Sequence, residues 1–168
     1  MKISVCMATY NGELYIRQQI DSILKQLSTE DELIISDDGS TDNTLKIIES
    51  YEDHRIKLLR SNHRNLICNF ENALKRATGN VVFLSDQDDI WFDGKVEKYK
   101  EQLKNNLMVF SNAAMFQDSN INEFELFFKD KKKKTGLFNN LKKVKFLGAT
   151  LAFQKSVLEK ALPLLTIV

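Results

Sequence analysis

A chain of 168 residues, 43% hydrophobic and 28% charged, has room for one core and one domain, and a formal net charge of +1 gives no signal for a nucleic-acid partner. The charge is uneven: residues 1–128 hold 14 Lys/Arg against 21 Asp/Glu, whereas residues 129–168 hold 10 against 2. No apolar run reaches the roughly 18 residues of a membrane-spanning helix, and the strand-like start Met1-Lys2-Ile3-Ser4-Val5 lacks the layout of a signal peptide.

Residues 3–8 read as a first strand, broken by the turn formers Thr9-Tyr10-Asn11-Gly12. Over residues 13–27, Ile16, Ile20, Ile23, Leu24 and Leu27 recur at helical spacing. A second strand at 33–36 runs into Asp37-Asp38-Gly39, and Ser40-Thr41-Asp42 can cap a second helix carrying Leu45, Ile48 and Tyr51 on one face. Residues 55–60 form a third, more exposed strand. Leu66, Phe70, Ala73, Leu74 and Ala77 mark a third helix, with Gly79 expected to close it. A strand at 81–85, a helix at 94–103 and a strand at 107–113 follow. The alternation predicts right-handed βαβ units, a mainly parallel central sheet and a three-layer α/β/α domain spanning 1–168. Residues 117–143 look irregular, with Phe124, Phe127 and Phe128 exposed, before a strand at 146–153 and a short helix at 156–162. Cys6 and Cys68 read as free thiols in a strand and a helix. His54 and His63, in polar surroundings, read as surface residues. The chain stops on an apolar run, which reads as the end of a fragment.

The chemistry concentrates in Val81-Val82-Phe83-Leu84-Ser85-Asp86-Gln87-Asp88-Asp89. An apolar strand delivers three carboxylates at once, and in extended backbone Asp86 and Asp88 face the same way. Such a cluster either solvates a loop that caps the next helix or holds a hard cation, which uses one or two carboxylates together with substrate phosphates. No His or Cys lies close by, so zinc is not expected. In a parallel sheet, Thr9-Tyr10-Asn11, Asp37-Asp38 and Asp86/Asp88/Asp89 share the edge at which ligands of open α/β sheets bind. Tyr10 offers a flat face to a base, Asp38 an acceptor to base or ribose, and a cation at the acidic tip can bridge a diphosphate.

Ala8-Thr9-Tyr10-Asn11-Gly12, Ser36-Asp37-Asp38-Gly39-Ser40-Thr41-Asp42, residues 69–79 and Ser85-Asp86-Gln87-Asp88-Asp89 resemble, in order and spacing, the family 2 glycosyltransferases of the GT-A fold. The Asp-Gln-Asp-Asp-Ile-Trp form is similar to bacterial rhamnosyl- or galactosyl-type members that build surface polysaccharides. The resemblance is strong over residues 3–91 and fainter to 153. It implies that residues 1–113 bind a UDP- or dTDP-sugar and that 114–168 begin an acceptor-side half. It implies that Tyr10 stacks on the base, that Asp38 hydrogen-bonds it with support from Asp37, and that Asp86 contacts ribose. Asp88 would bind Mn²⁺ or Mg²⁺, with Asp89 the alternative ligand. It further implies inverting transfer to a glycan or lipid-linked acceptor at the cytoplasmic side, by a general base beyond Val168. Glu159, the only downstream acid, has no motif around it. Where the family commonly has a Gly, this chain has Asn65, a residue that tolerates positive φ.

Lys129, Lys131 to Lys134, Lys142, Lys143 and Lys145, with Phe127 and Phe128, make either a contact for anionic membrane lipid or a solvated loop. Two rival readings remain. One is a donor-binding fragment without transfer activity. The other is a phosphoacceptor receiver domain, whose acidic pair and target Asp would be Asp37-Asp38 and Asp86.

Overall fold

The computed structural model describes residues 1–116, 124–127 and 148–163. In chain order these form β1 (Ile3–Thr9), α1 (Ile16–Leu24), β2 (Glu32–Asp37), α2 (Thr44–Glu49), β3 (Ile56–Arg60), α3 (Leu66–Leu74) and β4 (Val81–Ser85). They continue with α4 (Lys95–Gln102), β5 (Met108–Phe110), β6 (Ala114–Phe116), β7 (Phe124–Leu126), a 3₁₀ turn (Gly148–Thr150), β8 (Leu151–Gln154) and α5 (Lys155–Ala161).

Alternate side chains of the central strands face opposite layers, as the two-residue period of a strand requires. Ile3, Val5 and Met7 of β1, Leu33 and Ile35 of β2, and Val81 and Phe83 of β4 pack against α1, α2 and α4 through Ile16, Ile20, Ile23, Ile48, Val96 and Tyr99. Cys6, Ile34 and Val82 face the other way, onto Ala73 and Leu74 of α3 and Leu158 of α5. Burial on both faces explains why these strands read as continuous apolar runs.

The six-stranded sheet has the order β3-β2-β1-β4-β8-β5. β3, β2, β1 and β4 are mutually parallel. The expected mainly parallel sheet is therefore present, but its far side differs. β8 lies between β4 and β5 and runs antiparallel to both, an insertion that needs no helical crossover. It is also shorter than the strand predicted over 146–153, because Gly148–Thr150 coil into a 3₁₀ turn first. The strand predicted over 107–113 keeps three residues. Beyond it, β6 pairs with β7 in a separate two-stranded sheet, and β7 falls inside the stretch 117–143 expected to be irregular. The basic residues at 129–145 and Phe128 lie outside the described residues.

One local expectation changes and another narrows to a single residue. Gly79 does not end α3 by a left-handed turn; it lets the chain pass β1, since a Cβ there would come within 2.5 Å of the Ser4 amide nitrogen. The start of α2 is held by Asp42, whose Oδ1 accepts from the Thr44 amide at 3.0 Å and from its hydroxyl at 2.6 Å. Among the described residues, no helix is long and apolar enough to cross a membrane, and both cysteines are free.

Candidate functional site

The parallel register sets Thr9 beside Asp37 and Met7 beside Ser85. The carboxyl ends of β1, β2 and β4 thus stop level with one another, and the polar residues after them share one edge. A cleft of about 660 Å³ opens there, lined by Ala8, Thr9, Tyr10, Asp38, Arg64, Asn65, Leu66, Asn69, Asp86, Gln87 and Asp88. Its size suits a drug-sized or cofactor-sized ligand. The sequence-derived residues Thr9, Tyr10, Asp38, Asp86 and Asp88 are brought together in it. Asn11, Asp37 and Asp89 are not part of its lining.

Asp37 is buried and builds the loop after β2. Its oxygens accept from the Thr9 hydroxyl at 3.0 Å, from the amides of Gly39 and Ser40 at 3.1 and 2.9 Å, and from the Ser40 hydroxyl. Asn11, with φ of 48°, binds the same loop: its Oδ1 accepts from the Thr41 amide at 2.8 Å, and its own amide donates to Ser40 Oγ at 2.9 Å. Thr9 and Asn11 thus spend these side-chain hydrogen bonds on the scaffold of the site.

Asp38 organises the opposite wall. Its carboxylate accepts from the amides of His63 at 2.7 Å and Asn65 at 2.8 Å and from the Ser61 hydroxyl at 3.0 Å. Burial opposes its ionisation, but those bonds, with another from the Arg64 amide, outweigh burial and hold the carboxyl below the usual carboxylate range. The loop so held carries positive φ at Arg64 (50°) and not at Asn65, which is extended at −145°. Asn65 instead caps α3, its side chain accepting from the amides of Ile67 and Cys68 at 2.9 and 3.1 Å. His63 takes part through its backbone, not its ring.

At the tip of β4, burial pushes the Asp86 carboxyl up to about 6, with the charges of Asp89 and Asp88 adding to the effect. Burial and Asp88 raise Asp89 as well, and Lys95 works in the opposite direction. Among the described residues no three His, Cys, Asp or Glu side chains converge to cage a metal ion, so Asp86, Asp88 and Asp89 do not form a three-ligand site. Mutually repelling carboxylates beside an open cleft do fit a hard cation that takes its remaining ligands from a diphosphate.

Three further polar residues serve the site, and the strand and helix periods gave no sign of them. Gln87 Oε1 accepts from the Tyr10 amide at 2.9 Å while its Nε2 donates to the Tyr10 carbonyl at 3.1 Å. Gln19, fully buried on α1, donates to Ser85 Oγ at 2.6 Å and to the Asp86 carbonyl at 3.1 Å. Asn69, buried on α3, donates to the Thr9 carbonyl at 3.1 Å. A lone amide on a helix's buried face was the available signal for Gln19 and Asn69.

The chain has relatives among known proteins. The model of the family described as Glycosyl transferase family 2 matches residues 4–162. The UDP-Glc:alpha-D-GlcNAc-diphosphoundecaprenol beta-1,3-glucosyltransferase WfgD of Escherichia coli is 36% identical over 122 residues, which are 71% of this chain and 48% of that protein. The crystal structure of Staphylococcus aureus TarS 1–349 in complex with UDP-GlcNAc matches with a TM-score of 0.71 at 25% identity, over 95% of this chain and 47% of that one. The mannosyltransferase PcManGT from Pyrobaculum calidifontis, in complex with GDP-Man and Mn²⁺, shares the fold at a TM-score of 0.66 and 20% identity, over 94% of this chain and 46% of that one. The chain spans about half the length of these relatives. The three-layer GT-A architecture expected from the motifs is the one these structures share, and the match leaves no place for a receiver domain.

Proposed function

Because this chain belongs to glycosyl transferase family 2, we propose that it is the donor-binding part of an inverting, metal-dependent glycosyltransferase of bacterial cell-surface polysaccharide synthesis. The donor is a UDP- or dTDP-sugar, and the acceptor a glycan or lipid-linked sugar. The observation that carries this reading is the single cleft in which Tyr10, Asp38, Asp86 and Asp88 meet.

In this reading Tyr10, 52% exposed, offers its ring to the base, where stacking contributes about 1–3 kcal/mol. Gln87 holds the Tyr10 backbone so that the ring need not be ordered on binding. Asp38 shapes the loop that closes over the base side. Asp86 and Asp88, with Asp89 the alternative ligand, would hold Mn²⁺ or Mg²⁺. When bound, that cation neutralises charge on the departing nucleoside diphosphate. The bond between the sugar's C1 and the diphosphate oxygen breaks as the acceptor hydroxyl attacks from the opposite face, and a general base removes the hydroxyl proton. Glu159 is not that base. It sits on α5, which starts after Gln154, level with Val81 at the far edge of the sheet from the cleft.

A second reading is that the 168-residue chain binds donor without transferring it. Thermal unfolding in the presence of UDP or dTDP with Mn²⁺ tests the shared part of both readings. A rise in Tm that needs nucleotide and cation together supports it, and no rise with either nucleotide overturns it. Release of UDP from a UDP-sugar when acceptor is added then separates the two.

A further inference from the structure

Residues 86–94 carry the three carboxylates of the acidic tip, yet they form neither helix nor strand. The charges of Asp88 and Asp89 disfavour that of Asp86, so this loop gathers groups that repel one another. Its shape has to be imposed by its neighbours, and α1 is the one that holds it at both ends.

Three polar side chains do this: Gln19 and Ser22 on α1, and Gln26 just past its end. Spaced at i, i+3 and i+7, they share one face. At the loop's entry, Gln19 Nε2 donates to Ser85 Oγ at 2.6 Å and to the Asp86 carbonyl at 3.1 Å. At its far end, Ser22 Oγ accepts from the Trp91 amide at 3.0 Å. The two anchors are themselves joined, because the Ser22 hydroxyl lies 2.9 Å from the Gln19 carbonyl and 3.1 Å from Gln19 Oε1, to which it donates. That bond turns the Gln19 amide so that its Nε2 points at Asp86. Gln26 continues the seam: its Oε1 accepts from the Val96 amide of α4 at 3.3 Å, and its Nε2 donates to the Ser22 carbonyl at 3.1 Å. The Trp91 ring, buried with its centroid 5.3 Å from that of Phe83, seats the far end in the core. Asp86, Gln87 and Asp88, which line the cleft, thus lie in a span of chain fastened at both ends to one helix.

We propose that Gln19 and Ser22 are positioning residues that hold the two ends of this loop at a fixed separation, so that its carboxylates are already gathered when a divalent cation arrives. The proposal rests on the donor-binding reading and deepens it by naming what shapes the cation side of the cleft. Neither residue touches cation or donor. Each acts through the backbone of Asp86 or Trp91, and ordering the loop in advance removes that cost from binding.

The test uses two probes of the 168-residue chain: UDP with Mn²⁺, followed by calorimetry, and uridine alone, followed by NMR. Uridine reports the base side of the cleft without the cation. Ser22→Ala removes the acceptor of the Trp91 amide and the link to Gln19. It should weaken Mn²⁺-dependent UDP binding by about tenfold and leave uridine binding within about twofold, while Ser22→Thr, which keeps a hydroxyl, recovers most of the loss. A merely structural serine does not distinguish the probes, so equal weakening of both, weakening of neither, or no recovery by threonine overturns the proposal. Amide exchange in the unmodified, cation-free chain keeps the test open if Ser22→Ala fails to fold. There the Trp91 amide should exchange at least about a hundredfold more slowly than in an unfolded chain. Exchange near the unfolded rate overturns the claim that the loop is held before the cation binds. Absence of Mn²⁺-dependent UDP binding in the unmodified chain overturns instead the donor-binding reading beneath it.

Discussion

Gln87 grips Tyr10 by its backbone from both sides, accepting from its amide at 2.9 Å and donating to its carbonyl at 3.1 Å. This pair joins the ends of β1 and β4 directly. It also explains Gly12, where a Cβ would stand 2.4 Å from Gln87 Oε1. Gln87→Ala should cost about 1–2 kcal/mol of stability, the worth of two ordinary hydrogen bonds. The larger effect should be on UDP affinity, since the Tyr10 ring then has to be ordered by the ligand. Calorimetric titration beside a urea melt checks this: a stability loss with unchanged affinity would remove Gln87 from the site.

Asp38 is the second structural hinge of the cleft. Its carboxylate satisfies the His63 and Asn65 amides on either side of Arg64, whose φ is 50°. Asp38→Ala leaves those donors unpaired and should cost about 1–3 kcal/mol. Arg64→Gly relieves the left-handed conformation and should restore about 1 kcal/mol of that loss in the double variant. Chemical denaturation of the two single variants and the double variant measures the recovery. No recovery would mean that the loop does not depend on Asp38 for its shape.

The polar tips of β1, β2 and β4 were legible in the chain because each followed an apolar run and ended in turn formers or clustered acids. A parallel sheet then gave them one edge without further information. Gln87 was not legible. It stands between two acids, where it reads as a spacer, and its partner Tyr10 is 77 positions away. The direction of β8 was hidden for a different reason: a strand of four residues carries no mark of whether it runs with or against its neighbour. Side-chain preference alone points to Asn65 as the left-handed residue of this loop, whereas the positive φ falls at Arg64. The choice of Arg64 is made by Asp38, 25 to 27 residues earlier, which fixes the amides on either side.

Asp86 gives the cleft a pH dependence. Burial and the charges of Asp89 and Asp88 raise its carboxyl to about 6 from the ordinary 3.8. Without cation, the folded chain holds this proton more tightly than the unfolded chain, so ionised Asp86 disfavours the fold. Its contribution to stability falls as pH rises from about 3.8 through about 6. Asp86→Asn should therefore raise the cation-free Tm at pH 8 and do little at pH 4. Cation binding needs the ionised form, so Mn²⁺-dependent UDP binding should weaken as pH drops below about 6. Melts and titrations across pH 4–8 test both signs, and a Tm lowered by Asp86→Asn at pH 8 would contradict the burial of an uncompensated charge.

Glu32 carries the opposite sign at the other end of the strands. It is 2% exposed and accepts from Ser4 Oγ, Lys57 Nζ and both the amide and hydroxyl of Thr78. Burial opposes its charge, but the hydrogen bonds from Lys57, Ser4 and Thr78 outweigh burial and bring the carboxyl down to about 2 from 4.5. The folded chain thus binds this proton more weakly than the unfolded one. The stabilisation is complete above about 4.5 and is lost as pH falls toward about 2. Glu32→Gln keeps the shape and removes the charge, so at pH 7 it should cost about 1–3 kcal/mol, as expected for charge-assisted bonds. The difference should shrink at pH 3, where the native carboxyl is part-way through losing its advantage. Urea melts of both proteins at the two pH values read this directly. A gap of the same size at pH 3 would mean that packing around residue 32, and not its charge, secures the start of β2 against β1 and β3.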